Sequence, residues 1–348
     1  MPPHVSHSAQ MSQYVDREVA AALDTIRGYT AVIPVLSRRA LIDLGVNDTL
    51  QSAMFRRGLL ERLRHGVYAL HEHWHPADPL ERHRLDIAAA ATAAREQLWA
   101  FGPSAALLLE MPLPYSPPDQ LHLVRGSGKD ERGLRRPSRH RLVIPDAHVV
   151  TGPIDPEQTS LARGVPVVSP ALAAVSTAAG LTSSRWRTAL IDAALWKGAG
   201  PADVETLIDL WRHLGMRTEL LSALGRARVG AQSVLETFSR LAFVELGLPE
   251  PVLQHPFYDE DGLIGYVDMW WPSLGVIGEA DGAVKYTDRT VLLREKRRED
   301  RLRAQGPAIV RWGFDAIETN PDQVVAQIWR ASVQRRGGSN PRNSAETG

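Results

Sequence analysis

Apolar residues recur with helical spacing from residue 14 to residue 30, and two shorter helical patterns follow Pro34, at Ser37 to Leu44 and at Asn47 or Asp48 to Arg57. Gly45 and Gly58 stand where these two patterns stop, and Asn47 and Asp48 offer side-chain oxygens to cap the second. The period then changes. Leu59 to Leu70 (LLERLRHGVYAL) alternates apolar with basic residues about Gly66, which predicts a small β-hairpin. From 79 to 230 the pattern predicts an Ala-rich helix at Leu85 to Ala94, a short strand at Gln120 to Val124, a buried run at Val165 to Val168 and amphipathic helices at 170–179, 183–197 and 201–213. Gly225 to Gly230 (GRARVG) reads as a linker, and a helix from Ser233 to Leu246 is closed by Gly247 and Pro249. Strand patterns follow at Val252 to Tyr258, Leu263 to Trp270 and Leu274 to Ala280, with Asp259-Glu260-Asp261-Gly262 as the turn between the first two. A charged helix from Thr290 to Gln305 ends at Gly306, before a strand at Ala308 to Trp312 and a last helix at Pro321 to Ala331.

These elements divide the 348 residues into three expected domains. Residues 14–75 have the helix, helix, turn, helix, hairpin order of a winged helix-turn-helix. Residues 79–230 form an α/β connector, and residues 232–332 a mixed sheet flanked by helices in the order α-β-β-β-α-β-α. The stretches 1–13 and 335–348 lack apolar periodicity and read as disordered tails. The expected fold class is α/β, or α+β taken over the whole chain.

Composition narrows the chemistry. Forty Lys and Arg balance forty Asp and Glu, and 44% of residues are hydrophobic, which excludes wholesale disorder and a uniformly basic nucleic-acid coat. The absence of cysteine excludes disulfides, thiolate zinc, iron–sulfur clusters and a Cys nucleophile. No run approaches ~18 uncharged apolar residues, and Met1-Pro2-Pro3-His4 leads into polar sequence, so the expectation is a cytoplasmic protein without a membrane partner.

The zero net charge is a cancellation. Ser37 to Gly66 holds six arginines (Arg38, Arg39, Arg56, Arg57, Arg62 and Arg64) against three acids, a net +3 where a winged helix meets the phosphates of a duplex. Arg125 to Arg141 is +5 and turn-rich, which suits a solvated loop or a nucleic-acid contact. Asp268 to Asp288 is −3, and Arg289 to Arg303, with Lys296 and Arg297, is +4. An acidic pocket beside a basic helix suits a metal-dependent phosphodiesterase, with carboxylates for the metal and cations for the backbone. The same helix also has the i,i+4 charge spacing of a solvated face.

Asp268 lies near the end of one strand pattern, and Glu279 and Asp281 at the end of the next, where alternation points both to one face. Carboxylates at neighbouring strand ends form a hard-oxygen site for Mg²⁺ or Mn²⁺, which can activate water for a phosphodiester displacement. Lys285 nearby would place positive charge on the transition state. The competing reading is a pair of strand-end carboxylates meeting water or an Arg.

Val267-Asp268, Glu279-Ala280-Asp281-Gly282 and Lys285, within about residues 232–332, resemble the PD-(D/E)XK nuclease superfamily and its very-short-patch-repair-like branch. Asp281 stands where the usual superfamily pattern has Lys, and Lys285 where related sequences often have His. The resemblance implies a Mg²⁺-dependent (or Mn²⁺-dependent) endodeoxyribonuclease using Asp268 and Glu279 as metal ligands, with Asp281 and Lys285 adjoining. Glu236 resembles the helix Glu that often completes such sites, although Ser233-x-x-Glu236 is also a capping box in its own right. At the other end, Arg57-Gly58-Leu59-Leu60-Glu61-Arg62-Leu63-Arg64-His65-Gly66-Val67-Tyr68-Ala69-Leu70 resembles the end of the AbiEi-type antitoxin winged helix. The middle segment, with Ser104-Ala105-Ala106 and Val165 to Pro170, looks like the connector found between such modules in actinobacterial proteins. This second resemblance implies operon-binding DNA contacts, with a homodimer and a toxin as further partners. It also supplies the alternative to an enzyme: a non-catalytic DNA-binding repressor or antitoxin with a degenerate nuclease fold.

Two other features have stronger bland readings. His71-Glu72-His73-Trp74-His75 has metal-ligating residue types but reads as a solvated loop, and Trp270-Trp271 could stack a base but reads as core.

Overall fold

A computed structural model of the chain describes residues 7–115, 118–126, 144, 146–281 and 289–338, without the side chains of 7–14, 156, 289–292 and 335–338. The chain divides into two compact units, Met1–Gly180 with Thr206–Met216, and Leu181–Glu205 with Arg217–Gly348. Among the described residues no helix is long and apolar enough to cross a membrane.

In the first unit, α1 (His7–Thr30), β1 (Leu36–Ser37), α2 (Arg38–Asp43), α3 (Asp48–Arg56), β2 (Leu60–Arg64) and β3 (Val67–Leu70) follow the winged-helix order, and the strands form a sheet in the order β1-β3-β2. Local chemistry sets the helix starts. Ser37 Oγ accepts from the Ala40 amide at 3.0 Å, and Asn47 Oδ1 accepts from the Leu50 amide at 2.9 Å. Val19 and Ile26 of α1 close over Leu41, Met54, Leu60 and Leu70 in a common core. The expected disordered tail 1–13 needs correction, because α1 already has helical backbone from His7. A helix nucleated on a packed face extends at little further cost.

The chain continues through α4 (His71–Trp74), α5 (Pro79–Ala93), β4 (Leu98–Ala100), α6 (Gly102–Leu108), β5 (Leu121–Gly126), β6 (Ala147–Gly152), β7 (Thr159–Ala162), β8 (Val165–Val168) and α7 (Pro170–Ala178). Its five strands form one mixed sheet in the order β6-β5-β4-β8-β7. Only β5 and β8 were expected from the pattern. The other strands are short and depend on neighbouring strands for their hydrogen bonds, so their periodicity is weak.

The second unit opens with α8 (Ser184–Trp196), and the chain passes through α9 (Pro201–Leu210) to α10 (Arg217–Arg226) and α11 (Val234–Glu245). The packing thus shares the expected connector 79–230 between the units, because α8 and α10 pack with the C-terminal elements. There follow β9 (Val252–Asp259), β10 (Gly262–Trp271), β11 (Val276–Ala280), α12 (Arg289–Ala304), β12 (Ala308–Trp312), α13 (Phe314–Thr319) and α14 (Pro321–Gly338).

The sheet order is β12-β11-β10-β9, with β9, β10 and β11 antiparallel and β12 parallel to β11 by way of α12. One face packs Met269, Trp271, Val276 and Trp312 against Phe238, Phe243 and Ile328 of the helices. Here backbone and indoles meet closely. A Cβ on Gly278 would lie 2.5 Å from Trp312 and 2.7 Å from Trp271, so only glycine lets β11 sit under both rings. A smaller cluster joins Val267 and Ile277 to Leu302 of α12. The helix expected to end at Ala331 instead runs to Gly338, past buried Ser332, so residues 335–338 are helical backbone rather than tail.

Candidate functional site

The register of β10 against β11 pairs Met269 with Gly278. One step further along, Asp268 and Glu279 come together beside α12. Asp268 Oδ2 accepts from the Ala280 amide at 2.9 Å, a bond that ties the carboxylate to the neighbouring strand. Glu279 is buried. Burial raises both carboxyl pKa values above the ordinary range, and like charge adds to it, Asp281 acting on Asp268 and Asp268 on Glu279.

Glu236 reaches the same neighbourhood from the first turn of α11. Its Oε1 accepts from Ser233 Oγ at 2.8 Å and its Oε2 from the Gln232 amide at 3.0 Å, while its own amide donates to Ser233 Oγ at 3.2 Å. Ser233 is thus the N-cap, while the Glu236 carboxylate reaches back to the Gln232 amide and the Ser233 hydroxyl rather than to the Ser233 amide of a full capping box. This capping does not isolate Glu236, because Gln254 Nε2 lies 3.3 Å from Glu236 Oε2 and 3.5 Å from Asp268 Oδ1. Burial raises the pKa of Glu236, and the charge of Asp268 adds to the rise. Gln254 holds the two carboxylates in one network, and it does so from a left-handed backbone conformation, φ 49°. Such backbone strain in a non-glycine residue tends to cluster at functional positions. No sequence motif marked Gln254.

Asp281, at the exposed end of β11, donates its amide to the Trp312 carbonyl at 2.9 Å. Lys285 lies outside the described residues.

Two arginines complete the pocket. Arg298 of α12 forks onto Glu279, Nη2 to Oε1 at 3.0 Å and Nη1 to Oε2 at 3.4 Å. Arg311, opposite Glu279 on β12, places Nη2 at 3.5 Å from Oε2. Sequence reading treated Arg298 only as one cation of a basic helix. The signal that marks it is spacing, since Glu295, Arg298, Glu299 and Leu302 recur at three and four residues, with Leu302 buried.

By donor chemistry Asp268 and Glu279 fit a hard divalent cation, for which one or two carboxylates with water suffice. Among the described residues no group of three or more His, Asp or Glu is placed to hold a metal.

The expected DNA-contacting residues fall into two sets. On α12, Lys296 and Arg297 are exposed and make no ion pair among the described residues. In the N-terminal helices and hairpin, Arg38 pairs with Asp48 at 3.2 Å, Arg39 with Asp43 at 3.0 Å and Arg57 with Asp16, while Arg62 Nη2 lies 2.9 Å from His65 Nδ1. Arg56 is exposed without an ion pair among the described residues. Exposed pairs of this kind are weak and exchange readily for phosphate. Arg64 differs: it is half-buried, its charge acts on Asp86 of α5, and it is a poor candidate for DNA contact.

Arg125 bonds Glu96 at 3.3 Å and Thr151 at 2.7 Å, and most of the remaining basic stretch to Arg141 lies outside the described residues. His71 Nδ1 meets Glu61 Oε1 at 2.9 Å and its ring lies 4.7 Å from that of His75, and among the described residues no metal-binding group of three forms there. Trp271 is core, its Nε1 donating to the Pro249 carbonyl at 2.8 Å, and Trp270 packs edge-on against Phe257.

No family model matches the chain. Two proteins of Mycobacterium tuberculosis, one from strain CDC 1551 / Oshkosh and one from strain ATCC 25618 / H37Rv, both named only as uncharacterized, are each 31% identical to it over 100 residues. The match covers 29% of this chain and 37% of each relative's length.

Proposed function

We propose that this is a DNA-binding protein whose C-terminal unit hydrolyses phosphodiester bonds with a divalent cation held by Asp268 and Glu279. The observation that carries this reading is the meeting of these two carboxylates on adjacent strands, with pKa values raised by burial, and by the charge of Asp268 on Glu279 and of Asp281 on Asp268. Carboxylates kept at that electrostatic cost are characteristic of functional pockets. The element order α-β-β-β-α-β-α-α of residues 234–338, which adds α13 to the expected order, supports the likeness to PD-(D/E)XK nucleases. A bound Mg²⁺ or Mn²⁺ would supply a water of lowered pKa and charge for the departing oxygen. The chain's own residues would do the rest: Gln254 would orient Asp268, Lys296 and Arg297 would hold the phosphate backbone, and Lys285, outside the described residues, is the candidate the sequence offers for charge on the transition state. The winged helix would bring duplex DNA to the protein, in the cytoplasm.

A second reading has an observation of its own. Both oxygens of Glu279 are engaged by arginines, as expected of a structural ion pair. On that reading the protein is a non-catalytic repressor or antitoxin, which would work with a toxin partner and as a homodimer.

Incubation with plasmid and linear DNA in Mg²⁺ or Mn²⁺, alongside Asp268→Ala and Glu279→Ala, separates the two. Cleavage by the wild type and by neither variant is the expected result. A sequence-specific mobility shift without cleavage would favour the repressor.

A further inference from the structure

Three histidines of the first unit run from its surface to its core, and the carboxylate site uses none of them. His148 of β6 is exposed, His122 of β5 is its register partner with the ring centroids 5.6 Å apart, and His83 of α5 is buried. Ser104 of α6, itself fully buried, links the last two: its Oγ accepts from the His122 amide at 2.9 Å and lies 3.1 Å from His83 Nε2. A hydroxyl has one proton to give. With the imidazole neutral, Ser104 can donate that proton to Nε2 while accepting the amide. A protonated imidazole donates at Nε2 itself, so the Ser104 proton loses its acceptor and a charge enters the core. Burial, with the charge of His122 beside it, holds His83 down to about 4, and burial with the charge of His148 lowers His122. The helix α5 packs against α6, β2, β3, β4, β5 and β8. Charged side chains of those elements are engaged elsewhere: Arg64 of β2 acts on Asp86, Glu61 meets His71, Arg62 meets His65, and Arg125 of β5 bonds Glu96. On α5 itself Arg84 pairs with Glu81, Arg82 lies over Trp74, and Asp86 also feels the charge of Asp146.

We propose that His83 and Ser104 form a proton-sensitive latch, closed while the imidazole is neutral and released in acid, which loosens α5 from α6 and β5. The hairpin of β2 and β3 also packs on α5, so it loses part of its support with the release. The folded value of His83 lies below its ordinary one, so the contribution of the neutral ring is complete above about 6.5 and is lost as pH falls toward about 4. Asp86 runs the opposite way, since burial raises it and its contribution grows in acid. A variant that removes only the histidine charge therefore separates the two. The latch needs neither a cation nor DNA.

The test is hydrogen exchange of the full chain at pH 7 and pH 5, corrected for the intrinsic rate and followed on α5 and α6, in wild type, His83→Gln and Ser104→Ala. Wild-type protection should fall about twentyfold from pH 7 to pH 5, the shift in the opening equilibrium that the two values of His83 imply, and unchanged protection overturns the latch. His83→Gln keeps a hydrogen-bonding group without the charge, so its protection should fall much less. A fall as large as that of the wild type overturns the proposal. Ser104→Ala leaves His83 Nε2 buried without its partner and should lower protection already at pH 7, and protection equal to wild type there also overturns it. Should His83→Gln not fold, the wild type decides. The ring resonances of His83 should still be those of a neutral imidazole at about pH 5, and titration near the ordinary value of about 6.5 overturns the latch.

Discussion

Two arginine–carboxylate contacts in the C-terminal unit are built from the same groups and differ in almost every physical respect. Between α8 and α11, Arg240 Nη2 meets Asp192 Oδ2 at 3.1 Å, with the two side chains 2% and 1% exposed. Asp192 is satisfied on both oxygens, by the Thr237 hydroxyl at 2.8 Å and the Arg228 amide at 2.7 Å. Between β11 and α12, Arg298 meets Glu279 at 3.0 Å, but its side chain is 22% exposed and its guanidinium is shared with Glu295 and Tyr266. The first is closed to water, although Arg240 Nη1 also lies 3.5 Å from Oε1 of the more exposed Glu250. The second is open at one edge and has substitutes at hand, so it can exchange. An ion pair at a strand end therefore does not by itself mark a structural role. What distinguishes the two is how far each arginine is open to water.

The largest expected effect breaks the closed pair. Asp192→Ala should cost about 3 kcal/mol by taking from buried Arg240 its buried carboxylate, and Glu279→Ala less, because Arg298 is partly open to water and keeps Glu295. Urea unfolding of the two variants measures the contrast, and equal losses would remove it.

A smaller effect of opposite sign is expected at Asp268. Its folded-state pKa lies above the unfolded value, so its favourable contribution is present in acid and lost as pH rises through the raised value. Asp268→Asn should match wild type below the ordinary carboxylate range and melt a few degrees higher at neutral pH without metal. Mg²⁺ should then raise the melting temperature of the wild type alone. Parallel melting curves across pH would contradict the assignment.

The smallest effect lies on the surface. Replacing Lys296 and Arg297 together by Gln should reduce the slope of log affinity for DNA against log salt by about two, since each exposed cation releases roughly one counter-ion. An unchanged slope would take α12 out of the DNA interface.

Much of the fold was legible because it is written in short-range chemistry. Ser37, Asn47 and Ser233 each cap a helix through their own side chains, and β2–β3 and β9–β10 are hairpins closed by adjacent turns. The strands β4, β6 and β7 were not legible, because three to six residues become strand only where neighbours supply the other half of the ladder. In the site, Asp268, Glu279 and Asp281 could be named from their positions at strand ends, and Glu236 only from its resemblance to a helix Glu, with its spacing after Ser233 pointing instead to a cap. Gln254 could not be, since nothing in residues 252–259 announces a left-handed glutamine bridging two carboxylates.

The amino-acid sequence by itself determined which groups are available: no thiol, two strand-end carboxylates, and a helix with seven basic residues from Arg289 to Arg303. Only the tertiary structure decided that Arg298, and none of the exposed Arg294, Lys296 or Arg297, faces Glu279, and that Arg311 joins it from β12. The reason is physical. Capping and alternation act over a few residues and are encoded locally, whereas the rotation of α12 over the sheet is set by Leu302 seated against Val267 and Ile277, contacts between segments far apart in the chain. That rotation turns a balanced composition into a pocket carrying its own counter-ion.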